Sequence, residues 1–209
     1  MSRTTRRRAI RAVAPVAGLL AAGLLVWQGS YAAFSATTAN GANNWAAGSV
    51  SLTDDDAAVA MFSTALVTPA GAQDTKALKP GDTRTNCIKV TNNGTLAGPV
   101  KLYVQTYAQT SGLGDNLTVT VEQGTGTAAT AFGNCTGFNP LPSGGTLVNA
   151  QTLTAFAGAN STFTNGVGGA NLAVGASTYY RFTTTVNAGA PNSVQGGTAT
   201  ATFQWELQA

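Results

Sequence analysis

The chain has 209 residues, 25 of them glycine, two cysteine and none histidine, and only 9 % are charged. That length suits one domain with or without a leader, and a hydrophobic fraction of 44 % excludes a disordered chain. The formal charge of +3 sits in the first eleven residues, in Arg3, Arg6, Arg7, Arg8 and Arg11; the six basic residues left face eight acidic ones, so the charge gives no sign of nucleic-acid binding.

In chain order, Met1 to Arg11 is basic, Ala12 to Trp27 is apolar and uncharged, and Ser30-Tyr31-Ala32-Ala33 ends in small residues. This layout predicts a helical secretory signal peptide over 1–33, cut between Ala33 and Phe34. The apolar run falls short of the ~20 residues that a membrane-spanning helix needs. The alternative is an uncleaved leader, which would be the only link to a membrane. Arg6-Arg7-Arg8 also fits a twin-arginine signal, although a basic leader accounts for the same residues. Residues 34–47 then read as an N-terminal arm, rich in Gly, Asn and Thr, and strand character begins at Gly48. The β-rich domain is expected over 48–209.

Asp54-Asp55-Asp56 is the only acidic cluster. Oxygen-rich runs of this kind can join a calcium site, but no EF-hand spacing surrounds them, and a solvated turn needs no metal. Lys79-Pro80-Gly81-Asp82 predicts a turn before a strand. Thr85 to Thr91 offers Ile88 and Val90 on one face. Asn92-Asn93-Gly94 predicts a hairpin turn, because Asn and Gly tolerate positive φ. Val100, Leu102 and Val104 alternate with Lys101, Tyr103 and Gln105; Leu117, Val119 and Val121 alternate in the next segment. Cys135 to Gly145 reads as loop, and Gly158 to Gly175 as a long irregular excursion. Tyr180, Phe182, Thr184 and Val186 share one face. In the last segment Ala199, Ala201, Phe203, Trp205 and Leu207 oppose Thr198, Thr200, Thr202, Gln204 and Glu206. No amphipathic helix is expected after residue 33. The pattern predicts an all-β, antiparallel, jelly-roll-like sandwich.

Cys87 and Cys135 fit one disulfide in an oxidising compartment; the rival reading is two free or metal-bound thiols, for which no CxxC or His is present. Without His there is no Ser-His-Asp triad, no Cys-His pair and no HExxH motif. No catalytic residue and no cofactor is expected. Asn93-Gly94-Thr95, Asn116-Leu117-Thr118 and Asn160-Ser161-Thr162 match the glycosylation sequon, which Thr- and Asn-rich sequence produces by chance. Tyr179, Tyr180, Phe182, Phe203 and Trp205 can be read as a sugar-binding platform or as cross-strand core pairs.

The order of these pieces resembles the TasA/camelysin family of secreted bacterial surface and biofilm-matrix proteins. The matching pieces are Tyr31-Ala32-Ala33-Phe34-Ser35, Ala46-Ala47-Gly48-Ser49-Val50-Ser51-Leu52, Leu78-Lys79-Pro80-Gly81-Asp82, Val90-Thr91-Asn92-Asn93-Gly94-Thr95-Leu96 and the strand Ala199 to Leu207. Ala108 to Gly175 has no counterpart. The resemblance implies a jelly-roll sandwich exported with a leader cut by a SipW-type signal peptidase. It also implies fibres in which an N-terminal strand of one copy completes a sheet of the next, here Phe34, Ser35, Ala36, Thr37 and Thr38. The partners expected are further copies of the chain, other matrix or surface proteins and the peptidase, at an extracellular or cell-surface location. The family's metalloendopeptidase label is a second implication, at odds with a chain that lacks His. An adhesin-like module binding sugar or a host protein is a third reading, resting on low charge and exposed Thr and Asn.

Overall fold

The computed structural model describes residues 46–209. The leader, the cleavage point Ala33/Phe34 and the strand expected at Phe34, Ser35, Ala36, Thr37 and Thr38 lie outside the described residues. From Ala47 onward the chain is one compact unit, an antiparallel β-sandwich. Its strands are β1 (Leu52–Asp54), β2 (Phe62–Ser63), β3 (Gln73–Asp74), β4 (Thr83–Asn92), β5 (Gly98–Gln109), β6 (Leu117–Thr125), β7 (Asn139–Pro140), β8 (Thr146–Thr152), β9 (Val167–Leu172), β10 (Ser177–Val186) and β11 (Ala199–Leu207). One sheet has the order β1-β4-β10-β6-β7, with β8 also on β6; the other has the order β11-β5-β9. β2 and β3 form a small parallel pair of their own.

The two-residue alternation places the core. Ile88 and Val90 from β4, Tyr180, Phe182 and Val186 from β10, and Val119 and Val121 from β6 are all buried. Val100, Leu102 and Val104 of β5 face them from the second sheet and are also buried. β11 adds two aromatic anchors: Phe203 lies 4.8 Å from Phe182 and Trp205 lies 5.5 Å from Tyr180, between ring centroids. Tilted and edge-on pairs of this kind stabilise beyond their area burial. Tyr180, Phe182, Phe203 and Trp205 are therefore core residues, and Tyr179 points to the opposite face of β10, where it packs beside Gly126. β4 and β5 lie beside β10 and β11, one strand of each pair in each sheet, which is jelly-roll winding.

Four expectations need correction. Cys135 to Gly145 is not all loop, since it contains β7, which pairs with the end of β6. Asn92-Asn93-Gly94 does not close a hairpin: β4 and β5 belong to different sheets, and the turn carries the chain between them. The reason is the Asn92 side chain, which is fully buried and donates to the Leu96 and Leu172 carbonyls while accepting from the Gly94 N–H. A buried amide satisfied in this way fixes a corner rather than a two-residue loop. The segment Gly158 to Gly175 is not wholly irregular, since it contains β9. Gly168 and Gly169 adopt φ of 89° and 110°, and the register with β5 shifts there, so glycines that read as loop form a bulged strand. A helix also follows residue 33: α1 (Leu153–Ala159) is capped by Thr152, whose hydroxyl accepts from the Ala155 N–H at 3.2 Å. It buries Leu153, Phe156 and Ala157, an i, i+3, i+4 stripe too short to stand out as a periodic run.

Candidate assembly surface

The first described residues are bound rather than loose. The Asn93 N–H donates to the Ser51 carbonyl at 2.9 Å and the Thr95 N–H to the Ser49 carbonyl at 2.8 Å, continuing the pairing of β1 with the end of β4. The Ser49 N–H in turn donates to the Thr95 hydroxyl. Gly94 is required by proximity, not by φ: a Cβ there would stand 2.5 Å from the Ser49 carbonyl oxygen and 2.8 Å from the Ser51 nitrogen. A Cβ on Gly48 would meet the Leu96 side chain. The fold thus joins two stretches singled out separately in the sequence, Gly48 to Leu52 and Val90 to Leu96. Leu52 then packs against the small cluster of Val100, Leu172 and Leu207.

The acidic cluster follows directly. Asp55 accepts two backbone N–H groups, Lys89 on one carboxylate oxygen at 2.8 Å and Phe132 on the other at 2.9 Å. It therefore covers the edge of β4 beyond the three residues that β1 pairs. Asp56 accepts from the Ala58 N–H and shapes a tight turn in which Ala57 and Ala58 take φ of 53° and 64°. Partial burial, followed by the Asp56 carboxylate, raises the Asp54 carboxyl above its ordinary value. Among the described residues no group of three or more His, Cys, Asp or Glu side chains is placed to hold a metal ion. Asp55 acts as a latch and Asp56 shapes a turn, while Asp54 ends β1.

Cys87 and Cys135 form a disulfide, with Cα atoms 5.2 Å apart. It ties the loop after β6 to β4, and the Gly133 N–H donates both to the Cys87 carbonyl and to the Asn86 side-chain oxygen. Asn86, also fully buried, donates to the carbonyls of Met61 and Gly71, which anchors the base of the β2–β3 loop. On the outer face Arg181 pairs with Glu122 at 2.6 Å beneath the Phe138 ring. Nothing in the sequence spacing singles out Asn86, and Asn92 reads there only as a turn residue; a polar residue at an inward position of an apolar alternation is the signal for both.

Among the described residues both outer strands of the smaller sheet remain open. β11 is nine residues long and pairs along one edge only, with β5; β9 likewise pairs only with β5. The Gly168–Gly169 bulge twists β9, which blunts it as a template, whereas β11 carries no glycine or proline. Between β8 and β9 the sheets part to leave a cleft of about 470 Å³, lined by Leu141, Leu147, Val167, Gln123 and Ser143 among others and by no charged residue. Among the described residues no helix is long and apolar enough to cross a membrane. No family model matches the chain, and neither does any curated protein.

Proposed function

We propose that the chain is a secreted structural protein of the cell surface or biofilm matrix, without enzymatic activity, that self-associates by strand donation. The observation that carries this reading is the asymmetry of the sandwich. A three-stranded sheet faces a larger one and ends in β11, a long strand whose outer edge pairs with no other strand among the described residues. Such an edge is completed by an extended segment from another chain. The arm over residues 34–45 suits that role: it is uncharged, rich in Thr, Asn and Ala, and continuous with a segment already held as a strand extension at Ser49 to Leu52. A donor leaving one copy and an acceptor edge on the next do not close on themselves, so the product is a filament.

The Cys87–Cys135 disulfide supports an oxidising, extracellular setting. The test is to secrete the chain with and without Phe34 to Asn44 and image both by electron microscopy. Filaments only in the longer form are the expected outcome. Equal filaments from both forms, or none from either, would sink the proposal.

A further inference from the structure

The disulfide sits near the tip of a loop, and the tip lies on an edge of the larger sheet. Residues 126–138 leave the end of β6 and return at β7, so the base of the loop is closed by the pairs Gly124↔Pro140 and Thr125↔Asn139. The loop is also braced from within. The Thr130 N–H donates to the Thr127 carbonyl, Ala131 bridges to Asn134, and the hydroxyl of buried Thr130 donates to the Thr136 carbonyl at 2.7 Å. A loop with a paired base and its own internal bonds can leave a surface as a unit without unfolding what lies beneath.

The tip rests on the side of β4 that β10 does not occupy. β10 pairs with β4 from Thr83 to Thr91, and on the other side β1 reaches only Val90 to Asn92. At Cys87 and Lys89 the loop and Asp55 take over. The Gly133 N–H is shared between the Cys87 carbonyl at 3.2 Å and the Asn86 side-chain oxygen at 2.8 Å. Asp55 ties loop to strand, accepting the Phe132 N–H at 2.9 Å on one oxygen and the Lys89 N–H at 2.8 Å on the other. The Phe132 ring stands close over Gly71, where a Cβ would meet it at 2.5 Å. These contacts are few and non-covalent. The bond from Cys87 to Cys135, two residues beyond Gly133, holds them at high effective concentration.

We infer that the Cys87–Cys135 disulfide is a redox clasp: its reduction frees the loop from the β4 edge while the sandwich stays folded, and opens the Cys87 carbonyl and the Lys89 N–H. Cys87 is fully buried and Cys135 half-buried, so a dithiol reductant enters at the Cys135 sulfur. Its thiolate forms a mixed disulfide there, and Cys87 leaves as a thiolate that takes up a proton. The second thiolate of the reductant then closes the reductant's own disulfide and releases Cys135, which is protonated in turn; two electrons and two protons have passed to the protein. With the tip gone, Asp55 loses the Phe132 N–H that orients it, and its hold on Lys89 loosens. Unpaired strand N–H and C=O groups invite stray pairing, so the clasp keeps β4 closed in oxidising surroundings. The inference uses no residue of the arm or of β11 and does not depend on strand donation.

The test is residue-resolved hydrogen exchange on the secreted chain, oxidised and then reduced with a dithiol. Reduction is expected to speed exchange at Lys89, Phe132 and Gly133 at least tenfold more than at Val119 and Val121, which lie in the core of β6. Reoxidation should restore the slow rates. Oxidised N92A controls for lost stability at a different site and should show no such preference for the three positions. Oxidised D55A removes the link without touching the disulfide, and should release Lys89 and Phe132 while Gly133 stays protected. Equal acceleration in β6, unchanged exchange at the three positions, the same pattern in N92A, or a Lys89 still protected in D55A would each overturn the inference.

Discussion

The two lateral edges of the sandwich are built in opposite ways. At the β4 edge much of the strand has been given a partner: β1 pairs its end, Asp55 takes the Lys89 N–H, Gly133 donates to Cys87, and a disulfide pins the loop that supplies Gly133. At the β8–β9 edge and along the outside of β11 the described residues supply no such cover. One edge is protected with a carboxylate, a disulfide and two buried amides, while a nine-residue strand is left open among the described residues; this contrast is what the proposed strand donation builds on.

This contrast can be broken from the protected side first. Replacing both Cys87 and Cys135 by Ser is expected to cost about 4 kcal/mol of unfolding free energy, from the entropy of the loop the disulfide closes; denaturant titration reads it. N92A leaves the Leu96 and Leu172 carbonyls and the Gly94 N–H without their partner, at an expected cost of about 3 kcal/mol. G94A forces Ser49 to Ser51 away from the β4–β5 corner and is expected to cost about 2 kcal/mol. Its second signature is faster hydrogen exchange at Asn93 and Thr95, whose N–H groups hold that segment. On the open side S143A should change stability by less than about 0.5 kcal/mol, because it removes only an exposed hydroxyl. The smallest gain runs the other way: A58G relieves a left-handed conformation and is expected to add roughly 0.5 kcal/mol.

Acid should act mainly through exposed carboxylates. Hydrogen bonds from Lys76 hold Asp74 below its ordinary value of 3.8, those from Lys79 do the same for Asp82, and those from Thr154 and Gln109 for Asp115. A depressed folded-state pKa contributes stability above the unfolded value and loses it as pH falls through the folded one. Asp54 has the opposite sign, since a raised carboxyl binds its proton more tightly when folded. With three groups against one, thermal stability is expected to decline below about pH 3.8. A melting temperature flat from pH 5 to 2.5 would contradict this.

Much of the sandwich was legible because alternation at Ile88/Val90, Val100/Leu102/Val104 and Tyr180/Phe182/Val186 is unbroken and bounded by turn residues. Pairing of sheets was not legible. Asn92-Asn93-Gly94 carries the composition of a hairpin, and only the burial of the Asn92 amide turns it into a crossover. β9 was hidden because Val167-Gly168-Gly169-Ala170-Asn171-Leu172 offers little side-chain pattern; its neighbour β5 supplies the order. At the candidate surface, composition marked the arm and Asp54 to Asp56, but the role of Asp55 depends on Lys89 and Phe132, which are distant in sequence. The cleft between β8 and β9 is a property of placement alone.

The most direct test of the central claim is hydrogen exchange on the secreted chain as monomer and after assembly. Strand donation predicts new protection along Ala199 to Leu207 and in residues 34–45, with little change in Thr83 to Asn92, which already has its partners. Assembly with no added protection in β11 would contradict it.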